Sequence, residues 1–455
     1  MDAGRPRPVT DLTPVEAPVE KGAVERLLSP FADVHRGEAA GALLLTLMMF
    51  LILAGYYLLK TAREIFILSE GGAEIKTYAA AGQAILLLFL VPAYGAFASR
   101  VNRIQLITWI SLFFAANILL FALAASAGLN VGITYFLWLG IFNVMAIAQF
   151  WAFANDLYTP DQGKRLFPLI GVGSSLGAWL GSIRAGSLVE TAGPVRLLMG
   201  GAVILVACVG LARVTNRVVG RVGAQRKTAD QALGEGPSGF SMIRSDRYLM
   251  LIAALAVLLN VVNTTGEYLF GRYVVQHATA LYGAGAEAEA ARGQFIGETY
   301  SRFYSHVNLL GLLLQMFVVA RLFKWLGVGR SLLIHPVIAA GGYLFMLRAP
   351  SFEAIRLFKT LDNAIDYSLG NTTKQALWLP TSRQAKYKAK QAVDSFCVRA
   401  GDVLTAAIVF VFTSAAIAVP VFAAFTVALT AGWLLVARAL KARLHAQATS
   451  GREAL

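Results

Sequence analysis

The apolar stretch at residues 352–379 carries Arg356, Lys359, Asp362, Asp366 and Lys374, with Asn363, Asn371 and Thr373 beside them. Steps of three, three and four residues put the first four charges on one face of a helix. Other apolar stretches are charged too: Asp394, Arg399 and Asp402 in 393–417, Arg184 in 166–188 and Glu267 in 248–274. Lys60, Arg63 and Glu64 directly follow the stretch 39–59. A charge at such a place is costly unless it is paired or faces water. Lys60, Arg63, Arg184, Arg356, Lys359, Lys374 and Arg399 can together neutralise a multiply charged anion, as a small organic anion requires. Glu64, Asp362, Asp366, Asp394 and Asp402 can pair with those bases or gate them, and Glu267 can accept a hydrogen bond from a ligand or hold a cation.

Each group also has a purely structural use. The 356–366 stripe is either the wall of a cavity or an internal ladder of ion pairs. Arg399 and Asp402, at i,i+3, can neutralise each other, whereas Arg184 has no acid within a helical turn. Glu267 closes a polar step (Asn260, Asn263, Thr264, Thr265, Gly266) that reads as local unwinding, a cavity contact or a hydrogen-bonded structural glutamate. Lys60 and Arg63 either snorkel at the end of their helix or turn inward on a helix that continues. Neither a G-x-x-x-x-G-K-[ST] loop nor an H-E-x-x-H motif occurs, and the five histidines lack metal-ligand spacing. No enzyme activity, metal or cofactor is therefore expected, and any transport must be secondary.

The elements that hold these charges follow from composition. Of 455 residues 57% are hydrophobic and 15% charged, with mean hydropathy +0.61. About twelve stretches are long enough to cross a hydrocarbon layer of ~30 Å. They run over 39–59, 78–98, 104–126, 131–155, 166–188, 195–214, 248–274, 302–323, 329–347, 352–379, 393–417 and 419–439. This predicts an all-α integral membrane protein with about twelve spans, and it excludes soluble, disordered and disulfide-built classes. Residues 1–38 read as a polar tail, 39–214 and 248–440 as two six-helix bundles, 215–247 as a basic linker and 441–455 as a second tail. Residues 275–301 read as a mixed-charge hairpin or short surface helix. Gly171, Gly173, Gly177 and Gly181 have the small-xxx-small spacing that lets helices touch.

The net charge of +14 needs no nucleic acid to explain it. With both termini on one side, 27 of the 40 Lys and Arg lie on that side, eight opposite and five within spans. That asymmetry places the termini in the cytoplasm, in the inner (plasma) membrane of the cell. The halves echo one another. Thr159-x-x-Gln162-x-Lys164 matches Thr381-x-x-Gln384-x-Lys386, Arg184-Ala-Gly matches Arg399-Ala-Gly, and Thr61-x-x-Glu64 matches Thr264-x-x-Glu267. Such an order suggests a pseudo-symmetric duplication of the major-facilitator kind.

Phe150-Trp-Ala-Phe-Ala-Asn-Asp-Leu-Tyr-Thr-Pro-Asp-Gln-Gly-Lys-Arg-Leu-Phe-Pro-Leu-Ile-Gly-Val-Gly173 resembles the signature of the ATP/ADP translocase family. Leu59-Lys-Thr-Ala-Arg-Glu-Ile65, Gly71-Gly-Ala-Glu-Ile75 and Lys386-x-Lys-x-Lys-x-Ala-Val-Asp394 look like further blocks of it. The resemblance implies a major-facilitator-like fold and exchange of adenine nucleotides, with Arg63 or Lys60, Glu267 and Lys390 as binding residues; a monomer is expected. The chain departs from the family in lacking an acid over Leu137–Trp151, which fits a divergent member. A carrier of a different anionic solute, or a non-transporting membrane sensor or assembly partner, are the alternative readings.

Overall fold

A computed structural model describes residues 34–35, 37–98, 103–220, 238–348, 351–382 and 384–453, and its regular structure is helical throughout. The first half holds α1 (Ala39–Ala98), α2 (Arg103–Ser126), α3 (Gly132–Leu157) and α4 (Pro160–Gly220). The second holds α5 (Gly239–Ser245), α6 (Arg247–Tyr282), α7 (Glu289–Leu314), α8 (Ala320–Ser331) and α9 (Ile334–Met346). It continues with α10 (Phe352–Ile365), α11 (Asn371–Ala376), α12 (Lys390–Ala392), α13 (Val398–Ser414) and α14 (Val419–Glu453). Turns of π-helix at Gln315–Val319, Asp366–Gly370, Ala385–Ala389 and Val393–Cys397 bridge several of these into longer rods. Among the described residues, eight helices are long and apolar enough to cross a membrane, and Ile334–Met346 is a shorter apolar one.

Two of the longest runs are folded by glycine. Gly72 (φ 66°) breaks α1 and Gly193 (φ 72°) breaks α4, in a left-handed region that a residue without Cβ enters freely. Pro194 then starts the following segment with its preset φ. The glycine row on α4 does what its spacing suggests. A Cβ at Gly173, Gly177 or Gly181 would strike the backbone of Thr46, Phe50 or Ala54 on α1. Start signals are local: Thr159 and Gln162 form a reciprocal capping box, and Asp246 accepts from the Tyr248 N–H at 2.7 Å.

Several boundaries differ from the hydropathy-based spans. The helix at 39–59 runs on to Gly72, α6 extends to Tyr282 and α7 begins at Glu289, leaving only a short connection in place of 275–301. Hydropathy falls in these extensions, but their polar side chains are buried in protein: Thr61, Glu64, Thr299 and Ser301 are all nearly inaccessible. Helix also continues over 215–220, occupies 239–245 and runs to Glu453, where linker and tail were expected. Residues 1–33 and 36 of the tail and 221–237 of the linker lie outside the described residues.

Candidate functional site

A chain of buried charges joins the two halves of the sequence. Glu64, fully buried on α1, pairs with Arg63 and takes the Lys76 ammonium at 2.7 Å. Lys76 lies 3.8 Å from Glu267 on α6, and Glu267 lies 3.9 Å from Lys359 on α10. Lys359, also fully buried, sits 3.0 Å from Asp362, which is 3.2 Å from the His335 ring. Neutral groups complete the polar shell. Tyr304 donates to Glu64 at 3.1 Å, Asn363 donates to Glu267 at 2.9 Å, and Lys359 donates to Asn263 at 3.2 Å.

Lys60 is different. Its ammonium rests 4.0 Å from the centroid of Tyr304 and 5.2 Å from that of Tyr57, and it makes no ion pair or hydrogen bond among the described residues. Of the two positions left open for Lys60 and Arg63, the inward one is observed. Arg63 stacks 4.5 Å over Phe136. A half-buried cation that rests on aromatic rings without an ion pair keeps much of its demand for an anion.

Other bases are already matched, each with an acid of its own half. Lys374 is 3.4 Å from Asp366, Lys390 is 2.6 Å from Asp394 and Arg399 is 3.5 Å from Asp402. Asp402 also accepts from Asn260 and Thr264, at 2.8 and 3.2 Å. The polar step on α6 is therefore not unwound: it serves Asp402 on one side and Lys359 with Glu267 on the other. A cavity of about 310 Å³ opens here, and Asn260, Asn263, Asp366, Lys374 and Asp394 lie in its wall. A larger recess of about 680 Å³ lies at the Gly193 turn, but Glu70, Glu190, Glu287 and Glu289 line it, which disfavours an anion.

Two candidates stand apart. Arg356 pairs with Glu353 and lines a separate apolar recess with His306 and Leu313. Arg184 is exposed on α4 and has no ion pair among the described residues. Conversely, Lys76, Tyr300, Tyr304 and His335 belong to the cluster although their spacing gave no sign of it. Their partners are remote in sequence.

Polar ties between the halves gather toward the Gly72 end of the rods. Tyr57 donates to Asn308 at 3.0 Å, Ser301 to the Ser182 carbonyl at 2.6 Å, and Tyr268 to Glu74 at 3.0 Å. Arg272 adds an ion pair to Glu74 at 3.3 Å. Toward the opposite end, Arg165 grips Glu38 with two bonds of 2.9 Å and Tyr248 donates to the Leu377 carbonyl at 2.7 Å, each within one half.

A helical membrane protein whose charges join two halves, with a polar cavity in the wall of the second half beside them, is built as a transporter. The comparisons agree. A bacterial homologue of the iron transporter ferroportin, inward-facing, matches with TM-score 0.62 and 15% identity over 88% of this chain and 98% of that one. The nucleoside transporter NupG matches with TM-score 0.58 and 13% identity over 88% and 98%. These likenesses establish a major-facilitator-like fold. No family profile matches the chain. ADP,ATP carrier protein 4 of Rickettsia bellii is 23% identical, covering 83% of this chain and 85% of its own length. ADP,ATP carrier protein 1 of Chlamydia muridarum is 24% identical, covering 68% and 64%. The chain is a secondary membrane transporter, similar in sequence to the ADP,ATP carrier proteins at 23–24% identity.

Proposed function

We propose that the protein exchanges one adenine nucleotide for another across the inner (plasma) membrane by alternating access, as a monomer of twelve spans in two six-helix bundles. The breaks at Gly72, Gly193 and Gly327 support that count, since each divides a helical run in two. The bundles correspond to 39–214 and 248–440, joined by a cytoplasmic basic linker, with both termini in the cytoplasm. The similarity to carriers named for ADP and ATP supports the substrate class.

The observation that carries the reading is Lys60: a cation in the interior with aromatic rings around it and no carboxylate on it. Phosphates would settle on Lys60 and Arg63, drawing Arg63 from Glu64. Lys359, Lys374, Lys390 and Arg399 would be released from their acids as the anion descends, while Glu267 accepts a ribose hydroxyl or base amino group. Arg184 and Arg356 act at most as outlying attractors. Counterflow decides it: proteoliposomes loaded with ADP should take up labelled nucleotide saturably. Uptake of some other anion, with none of nucleotide, rejects the substrate and leaves the transporter.

A further inference from the structure

The buried charge chain ends on a histidine that nucleotide exchange does not use. His335 is 6% exposed, and its Nε2 lies 3.2 Å from Asp362 Oδ1. Its other nitrogen, Nδ1, is buried and has no hydrogen-bond partner. A neutral imidazole that donates from Nε2 carries a bare lone pair on Nδ1, and a buried acceptor left unmatched is costly. Nδ1 lies beside Gly370. The position a Cβ would take on Gly370 is 3.1 Å from Nδ1 and 3.1 Å from Asp366 Oδ1. Asp366 lies in the wall of the 310 Å³ cavity with Lys374 at 3.4 Å. A carboxylate and a gap without a side chain therefore lead from the cavity to the vacant nitrogen.

We propose that His335, set between Asp362 and Asp366, is a proton-binding site whose occupancy is linked to opening of the Gly72 end. The proposal rests on the transporter reading above but not on nucleotide as the substrate. Charge balance supplies the link. In this closed arrangement Lys76 lies 2.7 Å from Glu64 and 3.8 Å from Glu267, so when the halves part it stays with Glu64. Glu267 then has Lys359 as its remaining cation, 3.9 Å away. Moving Lys359 to Glu267 strips Asp362 of its ammonium and leaves it facing His335. A proton on Nδ1 makes His335 a cation and replaces the missing charge. Opening the Gly72 end thus favours proton uptake, and closing it, with Lys359 back on Asp362, favours release toward the cavity. Linkage of this kind is reciprocal.

The charged groups beside His335 are Asp362 and, across Gly370, Asp366. Trp433 of α14 presents its ring edge-on at 4.8 Å, and Ile334 and Ile338 beside it pack on Val319, Ile365 and Leu369. Asp362 is its one ion-pair partner among the described residues. Histidine is the side chain suited to change charge near neutral pH.

The neighbouring indole provides a readout without substrate. In the full-length protein in nanodiscs, the emission lost on Trp433→Phe should be quenched as pH falls from neutral to mildly acidic, and His335→Gln should abolish that pH dependence. In proteoliposomes, acid on the Gly72 face should drive accumulation of ADP on the other face, up to about 10-fold per pH unit for one coupled proton. In His335→Gln, uptake under the gradient should fall to the level of that variant's own equal-pH exchange. A Trp433 signal flat with pH in the unsubstituted protein overturns the proposal, as does undiminished gradient-driven uptake by His335→Gln. If no nucleotide is exchanged while Trp433 still titrates through His335, the nucleotide reading fails and the proton site stands.

Discussion

At the scale of single residues, Glu267 and Lys60 carry opposite expectations. Glu267 is partly exposed, shares two ammonium groups and accepts from Asn363. Glu267→Gln keeps size and hydrogen bonding, so the fold should persist while transport falls. Loss of a charged hydrogen bond is worth about 1.5–3 kcal/mol, or roughly 10- to 150-fold. Unfolding, or full activity in a stable variant, argues against the site. Lys60→Gln should weaken nucleotide binding by a similar factor without lowering the melting temperature, because it removes a half-buried cation that has no ion pair among the described residues. A measured drop in melting temperature with unchanged affinity would make Lys60 structural. Glu267 stood out in the sequence because a charge in an apolar run is conspicuous by itself, whereas Lys60, just past its apolar stretch, read equally as a snorkelling base. Lys76 and His335 did not stand out: Lys76 lies in a run that reads as a loop, and His335 is one of five scattered histidines. Their meaning arises only where Glu64, Glu267 and Asp362 meet them.

Elements were legible where local chemistry writes them. The Thr159–Gln162 capping box forms as its spacing suggests, yet in the matching segment of the second half Thr381 donates to the Trp378 carbonyl and Ser382 caps Ala385 instead. A similar motif thus hides two different hydrogen-bond patterns. The glycine row on α4 is the clearest success, and it is testable. Gly177→Leu should destabilise the protein by about 1–3 kcal/mol through overpacking against Phe50, whereas Gly171→Leu, with open space around its Cβ, should not. Equal melting temperatures for the two would contradict the close helix contact. The foot of α1 offers a pH test. Burial raises the affinity of Glu38 for a proton, but the Arg165 side chain, the His35 N–H and Gln162 outweigh it, so its carboxyl sits below the usual range. A depressed carboxyl stabilises above its unfolded-state value and loses that effect as pH falls through its folded value. The stability gap between the native protein and Glu38→Gln should accordingly shrink on acidification, and a gap constant with pH counts against the pairing.

At the scale of the whole molecule, the distribution of ties defines one conformation of a cycle: bonds between the halves at the Gly72 end, and a polar cavity between α6, α11 and α13 away from it. Sequence could indicate which helices are polar but not which end is closed, because closure is a property of contacts such as Tyr57–Asn308, 251 positions apart. Ser301 reports the closure directly. It is buried, and its hydroxyl donates to the Ser182 carbonyl across the two halves. The native cysteines are only two, Cys208 and Cys397, so a background without them can carry Ser301→Cys alone. A membrane-impermeant maleimide applied at the Gly72 face should then react slowly in the resting protein and faster as transport substrate is added. Lys76→Gln should also speed it, since Lys76 bridges Glu64 of the first half and Glu267 of the second. Removing one such bridge, worth about 1–3 kcal/mol, raises the open population and the labelling rate by roughly 5- to 150-fold. Glu64 keeps Arg63 and Glu267 keeps Lys359 in that variant, so no carboxylate is stranded and the fold should hold. A transport-competent Ser301→Cys protein whose labelling responds neither to substrate nor to Lys76→Gln would place the gate elsewhere.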